Sequence, residues 1–197
     1  MEKIILAAVL TCAGALWIDK LYSLSNELTF PNDILSRSRF RKPILFLSLS
    51  ILFNMTDDLR IMAAIFLLAL MTATDFEQYM LFDAMTFPLA LIGAAYSWQT
   101  NLNVLDHAAA TLIGGGIFLL LAVISKGALG GGDVKLIAAL GLWLGYDLLN
   151  VILYGTIFGG LAAIFMIITK QKSRHSYFAY GPYFALTAIY FLVATKA

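Results

Sequence analysis

Apolar runs broken by short polar clusters divide this chain into about eight segments, at 4–18, 43–55, 59–74, 85–98, 107–125, 134–146, 148–169 and 178–195. None shows the sustained alternation of a half-buried strand, and an open sheet cannot satisfy its backbone groups in lipid. The pattern therefore predicts helices. Several segments fall short of the ~20 residues a perpendicular helix needs to cross a bilayer. Their ends, above all those of 43–55 and 134–146, are expected to take in flanking polar positions. The first segment, preceded by Lys3, has the outline of a signal peptide, but no small-residue cleavage site is obvious and it reads as a span.

Composition points the same way. Apolar residues make up 61% of the 197 and charged residues 13%, against ~45–50% and ~25% in ordinary globular domains. A soluble fold of this size has no interior for so much apolar surface. The expected class is all-α, a polytopic transmembrane helical bundle, with residues 1–42 forming an N-terminal span plus a short basic loop and 43–197 a membrane-embedded core. A net charge of +1, with no basic cluster interleaved with aromatics, gives no sign of a nucleic-acid partner. The single cysteine, Cys12, can build neither an intrachain disulfide nor a thiolate metal cage. His107 and His175 have no partner at ligand spacing, so neither metal nor cofactor is expected.

The cationic residues divide unevenly between the two sets of loops. One set carries ten, Lys20, Arg37, Arg39, Arg41, Lys42, Lys126, Lys135, Lys170, Lys172 and Arg174; the other carries three, Lys3, Arg60 and Lys196. By the positive-inside rule the first set faces the cytoplasm, with both termini outside. The basic run Arg37-Ser38-Arg39-Phe40-Arg41-Lys42, between Pro31 and Pro43, reads as an orientation signal that also touches anionic lipid.

On this map Asp75 ends the third span and Asp133 opens the sixth, both on the cytoplasmic side. A carboxylate at the edge of a bilayer costs free energy to keep there and marks a functional site by default. Two that converge can share one proton: the charged member takes a proton from water while the neutral one polarises a scissile carbonyl. Gly130-Gly131-Gly132, just before Asp133, offers backbone geometry closed to other residues and lets another chain come close. The plainer alternatives are helix caps, with Asp133 as the N-cap of span six and Thr74–Glu77 as a capping box. Other residues read as ordinary. Gly114-Gly115-Gly116 and Gly159-Gly160 permit close helix contact, Tyr96 and Trp98 are interfacial anchors, and Asp19, Asp57, Asp58, Asp106 and Asp147 carry no chemistry.

At its aspartates the chain resembles the prepilin peptidases, membrane aspartic proteases of the Gly-x-Gly-Asp type. Gly130-Gly131-Gly132-Asp133-Val134-Lys135-Leu136 is similar to the family's second-aspartate motif. Asp75, followed by Leu81-Phe82-Asp83 and Thr86-Phe87-Pro88, is similar to its first, with Phe82 standing where the family has proline. Tyr180-Gly181-Pro182-Tyr183 resembles its Phe-Gly-Pro. The likeness runs over residues 60–195. It implies a bacterial cytoplasmic-membrane enzyme that cuts the basic leader from type IV prepilin-like precursors, with Asp75 and Asp133 catalytic and Gly130 and Gly132 shaping the turn. Gly181 and Pro182 come with the third motif, Glu77 and Asp83 are candidates to hold the leader, and Lys135 to tune Asp133. The larger members also methylate the new N-terminus through a region with paired Cys-x-x-Cys motifs. Ser36–Phe40 resembles the stretch before those cysteines, which are absent here, so a peptidase without methyltransferase activity is expected.

Two readings from other classes stay open. One is a small ion- or proton-coupled transporter with Asp75 and Asp133 as a relay, which needs carboxylates near mid-membrane; the other is a non-catalytic assembly factor of a pilus or secretion machine. A presenilin-like protease would carry a Pro-Ala-Leu motif near its end, where this chain has Gly181-Pro182. The particular precursor and the oligomeric state are not legible.

Overall fold

The computed structural model describes residues 1–100, 103–125, 129–170 and 178–194. Lys126, Lys172, Arg174, His175 and Lys196 lie outside the described residues. No strand occurs among the described residues, which are helical almost throughout. The helices are α1 (Glu2–Leu24), α2 (Ile34–Arg37), α3 (Arg41–Phe53), α4 (Leu59–Gln78), α5 (Asp83–Gln99), α6 (Val104–Ile124), α7 (Gly131–Leu144), α8 (Leu148–Ile168) and α9 (Gly181–Ala194). Four helical stretches are long and apolar enough to cross a membrane: α1, α4, α6 and the run Gly131–Ile168 that joins α7 to α8. The chain is an all-α membrane bundle.

Several helix ends lie beyond the apolar runs, and each has a physical cause. α1 continues past Ile18 because Asp19 and Tyr22 find partners on other helices. α3 starts at Arg41 with Pro43 in its first turn, where a missing N–H costs nothing. α4 continues past Thr74 through Asp75, Glu77 and Gln78, and Thr74 Oγ1 donates back to Met71 O as a mid-helix hydroxyl does. That excludes the capping box at Thr74. Asp133 is not an N-cap either. Gly130 holds that position, and Asp133 sits three residues in, its N–H on Gly130 O.

α4 is the central helix. Its buried residues run around most of its circumference, and it packs against α3, α5 and α9. α7 lies between α5 and α6, with α9 against its side. Glycines set these separations: a methyl group on Gly141 would lie 2.6 Å from both N and Cα of Thr111 on α6, and one on Gly115 would lie 3.0 Å from Ala138 Cβ on α7. Gly93 on α5 leaves room for the indole of Trp143 on α7. That ring is wholly buried, donates Nε1–H to Leu89 O at 2.8 Å and stacks on Tyr96 at 5.2 Å. Leu89, Gly93 and Tyr96 share one helical face, so a single stripe of α5 seats the tryptophan. Tyr96 is therefore a core residue rather than the interfacial anchor expected of it, whereas Trp98 projects outward.

The cations described sort to the two ends of the bundle. At one end Lys3 pairs with Asp57 at 2.5 Å, and Arg60 pairs with the α4 N-cap Asp58 at 2.7 Å. Hydrogen bonds from Arg60 hold the Asp58 carboxyl below its ordinary range. At the other end, where α4 finishes and α5 and α7 begin, lie Arg37, Arg41 and Lys135. His107 is buried near the first end, its Nδ1 2.9 Å from Leu142 O and its ring against the Gly145 turn, where φ is +56°.

Gly141→Ala is expected to force α6 from α7 and cost about 1–3 kcal/mol. Gly116→Ala, where an added methyl meets nothing within 4 Å, is expected to stay within about 0.5 kcal/mol of the parent. Thermal unfolding in detergent checks both; equal effects would mean that the glycine contact does not set the helix separation.

Candidate active site

Asp75 lies in the last turn of α4 and is almost wholly buried. Its carboxylate meets the start of α9: a methyl group on Gly181 would lie 2.7 Å from Asp75 Oδ2. Only glycine allows that approach. The first turn of α9 also tolerates Pro182, which needs no N–H there, and the positive end of a helix is a favourable place for a carboxylate.

Asp133 occupies the first turn of α7, in the same relation to that helix's positive end. Its Oδ1 is buried and has no hydrogen-bond partner among the described residues. A methyl group on Gly130 would rest 3.4 Å from its Oδ2. The three glycines work differently from expectation. Gly130 has ordinary extended geometry, φ −70° and ψ 141°, and the only glycine described with positive φ is Gly145. What the run supplies is space. A methyl on Gly132 would come within 2.8 Å of Leu81 Cβ, while one on Gly131 would meet nothing within 4 Å.

Leu81 joins the two halves. It stands in the short connection between α4 and α5, against Gly132 on one side, and its Cδ1 lies 3.4 Å from the position of a Gly181 methyl on the other. The neighbour of Asp133 and the neighbour of Asp75 thus pack on the same side chain. The structure brings together Asp75, Gly130–Asp133 and Gly181-Pro182, segments remote along the chain, at one end of the bundle.

Lys135 and Asp83 meet in an outward-facing ion pair, with Nζ 2.7 and 2.8 Å from the two carboxylate oxygens. The pair ties the second turn of α7 to the first turn of α5. Glu77 is elsewhere. It is buried against Arg41, whose Nη2 is 2.5 Å from Oε2 and whose Nε is 2.8 Å from Oε1, and Tyr22 donates to it at 3.0 Å. That commitment leaves Glu77 no open face for a substrate, whereas Asp83 keeps one. That Arg41, Tyr22 and Asp19 gather at this helix end was not anticipated from the sequence. Arg41 looked like one more cation in an orientation signal, and the available clue was the cluster Asp75, Glu77, Gln78 at the end of an apolar helix.

The fold and the site define a membrane-embedded helical bundle with two aspartates held against glycines at one end. The model of the type IV leader peptidase family matches residues 62–168, more than half of the chain and both aspartates, and the chain belongs to that family. It is 37% identical to the prepilin leader peptidase/N-methyltransferase of Neisseria gonorrhoeae, over 66% of this chain and 46% of that protein. It is 31% identical to the protein of the same description from Escherichia coli K12, over 59% of this chain and 54% of that one. The chain thus spans about half the length of the curated relatives it matches. No solved structure matches it. The apolar helices and bacterial relatives make it a multi-pass protein of the bacterial inner membrane.

Gly132→Ala must move either the α4–α5 connection or α7, because the added methyl meets Leu81 close to the backbone; a loss of about 1–3 kcal/mol is expected. Asp83→Asn breaks only an outward-facing pair and is expected to cost less than about 1 kcal/mol. Unfolding midpoints of the two variants, compared with the parent, test the ranking; the reverse order would contradict it.

Proposed function

We propose that this chain is an aspartic endopeptidase that removes the basic leader from type IV prepilin-like precursors at the cytoplasmic membrane face, with Asp75 and Asp133 as the catalytic pair. The observation that carries the reading is the shared contact of Leu81 with Gly132 and Gly181, the glycines beside Asp133 and against Asp75. Membership of the leader peptidase family supports the substrate class.

The chemistry follows from what two neighbouring carboxyl groups do. They share one proton, and the apparent ionisations belong to the pair. The carboxylate takes a proton from a water molecule lying between them, and the oxygen of that water bonds to the scissile carbonyl carbon. The carboxylic acid donates its proton to the carbonyl oxygen as negative charge develops there. Collapse of the tetrahedral intermediate breaks the C–N bond, and a proton passes to the departing amine. Water has then been added across the amide, and the pair regains its starting single proton. No metal, cofactor or covalent intermediate enters the cycle.

The precursor's apolar segment lies in the bilayer against the bundle, and its basic leader stays outside the hydrocarbon. Asp83, at the mouth of the site and open on one face, attracts that leader, and Lys135 keeps the acid oriented. We assign leader cleavage alone, since the one cysteine, Cys12, lies in α1.

Asp75→Asn and Asp133→Asn are each expected to abolish leader removal while the protein still inserts and folds. Co-expression with a prepilin and mass measurement of the product N-terminus reads cleavage and methylation together; normal processing by either variant would refute the pair. Gly181→Ala, which pushes on the end of the Asp75 side chain, is expected to lower turnover at least tenfold with a stability change under about 1 kcal/mol, and unchanged turnover would separate Gly181 from the chemistry.

A further inference from the structure

The end of α4 is gripped on the side away from its catalytic face. Residues two apart on a helix point about 200° from one another, so Asp75 and Glu77 face opposite ways: Asp75 toward α9, Glu77 toward α1 and α3. Arg41 meets Glu77 with a two-pronged fork, Nη2 on Oε2 and Nε on Oε1, and its remaining Nη1 reaches Asp19 at 2.5 Å and Ala15 O at 3.4 Å. Tyr22 adds a hydrogen bond to Oε2. Gln78, the next residue, exchanges two hydrogen bonds with the backbone of Phe30, at 2.8 and 3.2 Å.

The last carbonyls of any helix lack intrahelical partners. Here Arg37 Nη1 donates to Glu77 O at 3.0 Å and approaches Phe76 O at 3.4 Å, while its guanidinium lies 3.6 Å from the centre of the Phe30 ring. Tyr79 then leaves the helix in left-handed geometry, φ +53°, its N–H still bonded to Asp75 O. Five residues of this brace, Asp19, Tyr22, Phe30, Arg37 and Arg41, come before residue 62, where the match to the leader peptidase family begins. The part of the chain outside the family match thus grips the helix that carries Asp75.

Removing a guanidinium and a carboxylate from water is costly, and an apolar pair of similar volume commonly gives equal or greater stability. An ion pair with both side chains over nine-tenths buried is therefore a poor device for stability alone. It is a good device for direction, because a forked pair restricts both angle and distance. A catalytic carboxyl group must be held within about 0.5 Å of its working position, and a helix terminus is otherwise the part that frays.

We propose that Arg41, acting through Glu77, is a positioning residue for Asp75: the buried Arg41–Glu77–Tyr22 brace sets the last turn of α4 so that the Asp75 carboxyl group meets the scissile bond. This rests on the peptidase reading above. Arg41 touches no reacting atom; its effect falls on turnover and not on the binding of the precursor.

The experiment uses the full chain in detergent with a precursor peptide carrying its leader, and compares the parent with Arg41→Gln, Tyr22→Phe and the apolar double variant Arg41→Met/Glu77→Met. In Arg41→Gln, kcat is expected to fall at least tenfold with KM within twofold of the parent. Hydrogen exchange at the amides of residues 76–79 is expected to quicken at least tenfold, with those of α7 unchanged. Tyr22→Phe, which removes one hydrogen bond and little else, is expected to lower kcat two- to fivefold at an unchanged unfolding midpoint. The double variant is expected to unfold at or above the parent's midpoint and still turn over at least tenfold more slowly. Recovery of kcat along with stability in the double variant would overturn the proposal, as would parental exchange at residues 76–79 in Arg41→Gln. A parent chain that cleaves no precursor would instead overturn the peptidase reading, and the exchange result stands apart from it.

Discussion

Two missing side chains hold the site together. At Gly181 a single added methyl would press on the Asp75 carboxylate, and at Gly132 it would press on Leu81. Interiors pack without slack, so one methyl at either place forces backbone or a functional group to move. Because both positions are bare, the starts of α7 and α9 can close on the end of α4, with Leu81 filling the gap between them. The convergence proposed for two remote aspartates depends on that closure.

A second constraint is the membrane itself. Polar side chains in such a bundle are costly to bury unless satisfied, and the structure places them in two different ways. Trp143 buries its one donor on Leu89 O and Arg41 buries a charge on Glu77; both are closed arrangements with little left to offer a ligand. Lys135 and Asp83 face outward, and Asp133 keeps a buried oxygen without a partner among the described residues. The closed arrangements fit scaffolding roles, and the open ones fall at the end of the bundle for which we propose substrate binding. The same helix end carries both kinds, Asp75 on one face and Glu77 on the other.

Much of the fold was legible because lipid imposes a simple code. Apolar runs located the helices, and the uneven spread of cations anticipated the grouping of Arg37, Arg41 and Lys135 at one end, with Lys3 and Arg60 at the other. Helix ends were less legible, since Asp19, Asp75 and Glu77 look like interruptions until their partners on other helices are known. Asp75 and Asp133 stood out from Asp19, Asp57, Asp58, Asp106 and Asp147 through the residues around them, the run Gly130-Gly131-Gly132 above all. The role of Gly132 was visible only as permissiveness; that it serves space and not left-handed geometry depends on where Leu81 lies. Arg41 was hidden among nine other cations of the same set of loops, and Tyr22 looked like one more aromatic in a span. Pairings of that kind are long-range, and no local pattern announces them.

Convergence of Asp75 and Asp133 on one reacting centre is tested most directly by a structure of the chain bound to a precursor-derived peptide in which the scissile amide is replaced by a hydroxyethylene group. Such a group mimics the tetrahedral transition state, to which an enzyme is most complementary. Both carboxyl groups within about 2.6–3.2 Å of the one hydroxyl is the expected result. A bound peptide whose hydroxyl meets only one aspartate, with the other held well out of reach, would contradict it.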